Sequence, residues 1–241
     1  MTDDRPAILI FSAHAADFVW RAGGAIASYA SRGYRARILC LSFGERGESE
    51  ALWRTPGMSV ERVKETRETE SRRAAEILGA EIRFFDAGDY PLAVTDMLIG
   101  DIVKEYRDAQ PAFVLTHSFA EPYNSDNPEA AQLSLKARIY AQAAGYPDDG
   151  KKLGAPPVFM FEPHQPEQCG FLPQVLLDIT SVFDRKRAAM ESMDAQQHLW
   201  EYYTDLAKRR GVQAARNSGR SNIKFAEAYQ RVYPHVTSEL S

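Results

Sequence analysis

Five short apolar runs alternate with segments of helical period, and this alternation constrains the fold more than any other feature of the chain. Ala7–Ala13, Arg35–Phe43, Glu81–Asp86, Ala112–His117 and Val158–Glu162 read as strands. Asp17 to about Arg32, Val60–Leu78, Asp96–Ala109 and Pro128 to about Ala144 read as helices between them. The punctuation agrees. Gly33 and Gly79 follow the first two helices as C-terminal stops, and Asn127 with Pro128 opens the fourth. A βαβαβαβαβ order implies an α/β, Rossmann-like fold, a mostly parallel sheet with helices on both faces. Gly44 to Gly57 reads as a polar loop. Beyond Glu162 the pattern changes. Ser181 to about Arg210 reads as one long helix and Ile223–Val232 as a shorter one, a helical C-terminal part. With no repeat, low-complexity segment or linker, residues 1–241 read as a single domain.

Composition removes several function classes. A net charge of -4 and a pI near 5.8 give no basic surplus for a nucleic-acid partner. No apolar stretch approaches the ~20 residues a membrane helix needs, so no membrane partner is expected. The polar start Met1-Thr2-Asp3-Asp4-Arg5 does not read as a signal peptide. Cys40 and Cys169 form no CxxC pair and fit reduced thiols, which points to a cytoplasmic protein. The phosphate cradles GxGxxG and GxxxxGK[ST] are absent, as is a GxSxG nucleophile elbow.

In an open parallel sheet, ligands bind at the carboxyl ends of the strands. His14, His117 and His164 lie at or just beyond three such ends. His198 and His235 lie elsewhere and read as packed or exposed side chains. His14-Ala15-Ala16-Asp17 directly follows the first strand, and its imidazole and carboxylate can close on one metal ion. Imidazole with carboxylate suits Zn²⁺, with Fe²⁺ or Co²⁺ as other divalent candidates, and a catalytic site usually takes three protein ligands. Glu129, in Asp126-Asn127-Pro128-Glu129, is the first choice for the third, and His117 is the alternative. Acids at a helix start are also favoured by its dipole.

These residues carry a family resemblance. Ser12-Ala13-His14-Ala15-Ala16-Asp17 with Gly23-Gly24 resembles the AHPDD…GG signature of the PIG-L (LmbE-like) N-acetylglucosaminyl deacetylase family. Arg67, Glu70, Ala74 and Leu78-Gly79 resemble its R-x-x-E…A…LG helix, and Ala226-Glu227-Ala228 its late AEA segment. The resemblance implies a Rossmann-like, zinc-binding enzyme with His14 and Asp17 as ligands, and a homo-oligomer. Two departures stand out. The family's general base for amide hydrolysis corresponds to Ala16. Its later H-x-x-H is absent: Asp126 and Glu129 share that spacing, whereas alignment on Asn-Pro puts Ala130 at the ligand position.

Loop Ser42 to Ser49 and the run Phe161 to Glu167 resemble one branch of the family, the 4-oxalomesaconate (4-carboxy-2-hydroxymuconate) hydratases of gallate and protocatechuate catabolism. That branch implies a hydro-lyase acting on a small polycarboxylate. Hydration of an activated C=C bond needs a placed water, an acid for the carbon and cations for the carboxylates. Glu48 is expected to position and activate the water, and His164 to protonate carbon near neutral pH. Arg46 on the Glu48 loop, with His117, is expected to contact the substrate; Arg21 and Arg54 are weaker choices. Two rivals stand beside this reading. One is a deacetylase with Glu48 recruited as base, and the other is a degenerate site that binds without chemistry.

Overall fold

The computed structural model describes residues 5–148 and 150–239. The start Met1 to Asp4, read above as polar, lies outside the described residues. Strand β1, Ala7–Ser12, is buried along its whole length. Its alternation sends Ile8 and Ile10 into one core and Ala7, Leu9 and Phe11 into the other. A strand apolar on both faces needs cover on both. Helices α1 (Asp17–Ser31) and α3 (Val60–Leu78) cover one face, and α4 (Asp96–Ala109) with α5 (Asp126–Gln142) covers the other.

The remaining strands are β2 (Arg35–Cys40), β3 (Ala80–Phe84), β4 (Phe113–Thr116), β5 (Val158–Phe161), β6 (Val175–Asp178) and β7 (Ala226–Arg231). Their order in the sheet is β3-β2-β1-β4-β5-β7-β6. The first five pair in parallel, and β7 runs antiparallel to both β5 and β6. Strand order reverses between β1 and β4. Chain leaving those neighbours turns to opposite faces and opens a crevice at the sheet's carboxyl edge.

Local signals set the helix ends. The Ser59 hydroxyl accepts from the Arg62 amide at the start of α3, and Gly79 ends it at φ 78°. Thr95 caps α4 in the same way. α5 starts at Asp126, two residues before the Pro128 start expected from sequence, with Ser125 and not Asn127 at the cap position. A single turn, α2 (Glu50–Trp53), forms inside the expected Gly44 to Gly57 loop.

The C-terminal third differs most from expectation. The single helix expected over Ser181 to Arg210 is two helices, α6 (Phe183–Glu191) and α7 (Leu199–Ser218), separated by a turn at Asp194–Gln196. Side chains of α3 capture that turn. Glu70 accepts from the Ala195 amide at 2.9 Å, and Arg67 donates to Gln196 Oε1 at 2.7 Å. Ile223–Val232, expected as helix, contains strand β7 instead. Ala226-Glu227-Ala228 favours a helix locally, but pairing with β5 and β6 overrides that preference. None of the described helices is long and apolar enough to cross a membrane.

Candidate active site

The turn after β1 is built by its own polar groups. Ser12 Oγ donates to the His14 carbonyl at 2.6 Å and accepts from the Phe18 amide at 3.2 Å. The His14 amide donates to Asp17 Oδ2 at 2.8 Å. From α3, Ser71 Oγ donates to the Ala15 carbonyl at 2.7 Å. His14, Ala16 and Asp17 are therefore held in a buried turn at the crevice.

Four carboxylates surround the His14 ring. Asp17 Oδ2 and Glu48 Oε1 lie 3.3 and 3.2 Å from Nδ1. Asp89 Oδ1 and Asp126 Oδ2 lie 3.2 and 3.5 Å from Nε2. Asp89 also accepts from the amides of Arg46 and Gly47 at 2.5 and 2.8 Å, so one carboxylate fixes both the His14 ring and the backbone leading to Glu48. Asp126 accepts from the amides of Tyr90 and Leu92. Close packing requires glycine in this loop. A Cβ on Gly44 would lie 3.2 Å from both the His14 and the Glu48 Cβ, and Gly44 has φ +64°. One on Gly47 would enter the Tyr90 ring.

This arrangement calls for a cation. Both ring nitrogens of buried His14 and Oδ1 of Asp89 have no hydrogen-bond partner of good geometry. A metal ion fits the donor set. His14, Asp17 and Glu48 present ligand atoms within 4.8 Å of one another, as do His14, Asp89 and Asp126. We favour the first set. Asp17 and Glu48 line the adjoining cavity of about 370 Å³, and Asp89 and Asp126 do not. With an ion on that side, the Nε2 pair would stand behind the histidine and fix its ring and tautomer.

Titration follows the same logic. Burial pulls the His14 pKa down, but Glu48, Asp126, Asp17 and Asp89 more than reverse this and leave it well above 6.5. Burial opposes ionisation of Asp17, yet His117, His14 and Arg21 hold its pKa well below 3.8. A raised folded-state pKa gives stability that is full below the unfolded value of 6.5 and fades as pH rises through the folded value. Protein stripped with a chelator should thus lose melting temperature from about pH 6.5 upward, where metal-loaded protein holds it. Parallel curves for the two forms over that range would show that the imidazolium does not replace the ion.

The other expected residues fall as follows. His117 Nε2 accepts from the Ala13 amide at 3.0 Å and lies 3.5 Å from Asp17 Oδ2. Burial pushes its pKa down to about 4, so the ring is neutral at pH 7. Half-buried His164 lines the cavity and stacks on Tyr202, its Nδ1 3.5 Å from the Tyr203 hydroxyl. Burial, then Arg21, lowers its pKa below 6.5. Arg21 lines the cavity but is held by Glu121 through two bonds of 3.0 and 2.9 Å. Arg54 sits on the rim, paired with Glu50 at 2.6 Å. Arg46 is exposed and contributes its amide to Asp89; its side chain is not on the cavity wall. Glu129 is exposed and belongs to neither acid–imidazole cluster; the α5 acid that reaches His14 is Asp126. His198 is exposed at the cavity rim, and His235 is exposed. Sequence reasoning missed Asp89 altogether. It follows β3 at the same carboxyl edge, and that position was the available signal.

Known proteins share this sequence and fold. The model of the GlcNAc-PI de-N-acetylase (PIG-L) family matches residues 9–131. The chain is 53% identical over 244 residues to 4-oxalmesaconate hydratase of Pseudomonas putida KT2440, covering 100% of this chain and 95% of the relative. It is similar to the crystal structure of GalB, the 4-carboxy-2-hydroxymuconate hydratase of Pseudomonas putida KT2440, with TM-score 0.96 and 54% identity. That likeness covers 98% of this chain and 100% of the other. Diacetylchitobiose deacetylase of Thermococcus kodakarensis is 25% identical over 97% of this chain and 87% of its own length. The chain belongs to the PIG-L family.

Proposed function

We propose that this protein is a metal-dependent hydratase. It adds water across the activated C=C bond of 4-oxalomesaconate, the keto tautomer of 4-carboxy-2-hydroxymuconate, to give 4-carboxy-4-hydroxy-2-oxoadipate in gallate and protocatechuate breakdown. The observation that carries this reading is 53% identity over the whole chain to a relative named for that activity. The site chemistry supports it. Ala16 is buried and has only a methyl group, so the position gives amide hydrolysis no base. Glu48 approaches His14 from a different loop.

His14, Asp17 and Glu48 would hold the metal, and one nitrogen with two oxygens suits zinc. A bound divalent ion supplies Lewis acidity that makes water a better nucleophile and steadies an enolate. Glu48 also accepts from Asn124 Nδ2 at 3.3 Å, which orients its carboxylate toward the cavity. There it accepts the proton of the attacking water. His164, which lines the same cavity, delivers a proton to the carbanionic carbon. Substrate carboxylates nearby would raise the lowered His164 pKa and populate its acid form.

The assay is loss of the conjugated absorbance of the unsaturated tricarboxylate by metal-loaded protein. In it Glu48→Gln and His164→Ala should each cut kcat by about 10²–10⁴. His164→Ala should keep its metal. Ala16→Asp should not speed hydration, because it buries a carboxylate in the apolar cluster that holds Ala16. Near-normal turnover in both of the first two variants would remove their assigned roles. Acetate release from an N-acetylglucosamine conjugate, without hydration, would instead favour the deacetylase reading.

A further inference from the structure

We propose that Asn127 is the residue that grips the substrate beside the acid–imidazole cluster, donating Nδ2–H to a carboxylate or enolate oxygen of a polycarboxylate anion. The proposal rests on the hydratase reading for the identity of that anion. Asn127 lies in the first turn of α5, directly after Asp126, which faces His14. It is fully buried, and neither Oδ1 nor Nδ2 has a hydrogen-bond partner. Yet it is on the wall of the cavity that Asp17, Glu48 and His164 also line. Burying an amide with nothing to bond is unfavourable, and such groups call for a specific explanation.

Charge bookkeeping on the cavity wall points the same way. Its arginines are committed, Arg21 to Glu121 and Arg54 to Glu50. Asp17, Glu48, Glu50 and Glu121 add negative charge to the same wall, so an anion entering there is helped by uncharged donors, and the unpaired Asn127 amide is one next to the His14 cluster. A primary amide gives two N–H donors and adds no negative charge. It can also accept from an enol hydroxyl through Oδ1.

Asn127→Leu tests this, because it keeps the approximate volume and removes the unpaired polar atoms. The expected result is a melting temperature equal to or above wild type, unchanged metal content, and a KM for the tricarboxylate raised about tenfold or more. Asn127→Asp keeps the shape and should raise KM further by repelling the anion. A second readout needs no turnover. Propane-1,2,3-tricarboxylate should raise the melting temperature of wild-type protein, and Asn127→Asp should abolish that shift. A wild type that responds to this probe but hydrates nothing would sink the hydratase reading and keep the binding role. A destabilised Asn127→Leu with normal KM, or an Asn127→Asp that still responds to the probe, would make Asn127 a packing residue only.

Discussion

Asp17→Ala is expected to strip the protein of its metal and reduce hydration by about 10³-fold or more, with the fold retained. One oxygen of Asp17 holds three relations at once, while the other lies 3.5 Å from Arg21 Nε. The first, Oδ2, faces His14 Nδ1 at 3.3 Å, accepts the His14 amide at 2.8 Å and lies 3.5 Å from His117 Nε2. Alanine removes one of the proposed ligands and frees the turn that aims His14. Glu48 alone cannot replace it, because its side chain comes from a loop held in place by Asp89. Metal analysis of the purified variant, circular dichroism and the absorbance assay together check the claim. Asp17→Asn is the sharper control. It keeps shape but exchanges one charged oxygen for an amide, so metal occupancy should fall while the α1 start persists. A variant at Asp17 that retains stoichiometric metal would move the ion to the other side of the ring, between Asp89 and Asp126.

The sequence displayed the parallel half of the fold because each of those strands is bounded by strong local signals. β1 is an unbroken apolar run, and Gly33 and Gly79 stop the helices beside it. The last two strands carried no such signal. β6 is four half-buried residues, and β7 carries buried Glu227 as its second residue, a charge that belongs to a strand only because partners from elsewhere neutralise it. The site divides in the same way. His14 and Asp17 sit in one turn, so their proximity was legible from spacing. Glu48 was legible from its place after β2. Which acid of the α5 start would face His14 was not. Asp126 and Glu129 have the same spacing as a metal pair, and the choice depends on where the helix begins. It begins at Asp126, which turns that residue toward His14 and leaves Glu129 exposed. Arg46 was placed on the right loop, but its backbone and not its charge does the positioning.

Glu227→Ala should be the most destabilising single change away from the crevice, by about 3–5 kcal/mol. Glu227 joins two sequence motifs that lie at opposite ends of the chain. Its Oε1 accepts from the Gly24 amide at 2.7 Å and from Lys186 Nζ at 2.7 Å. Its Oε2 accepts from the Ala25 amide at 2.8 Å and the Tyr229 hydroxyl at 2.6 Å. Lys186 in turn donates to the Trp20 carbonyl at 2.8 Å. The carboxylate and the ammonium thus bond backbone groups inside α1. The close approach also explains why glycine is needed there, since a Cβ on Gly24 would fall 2.9 Å from Glu227 Oε1 and 2.7 Å from Ile179. Alanine at 227 leaves a buried ammonium without its counterion and two helix amides without an acceptor. For a chain of this size the loss corresponds to a melting temperature lower by about 6–20 °C. Pairing Glu227→Leu with Lys186→Met should recover part of it, because two apolar side chains leave no unpaired charge. Full recovery is not expected, since the Gly24 and Ala25 amides still lose their acceptor. A single variant within about 1 kcal/mol of wild type in denaturant titration would show that α1 does not depend on this pair. Activity gives the second reading. α1 begins at Asp17, so a shift of this helix moves the carboxylate at the His14 ring, and kcat should fall even at temperatures where Glu227→Ala remains folded.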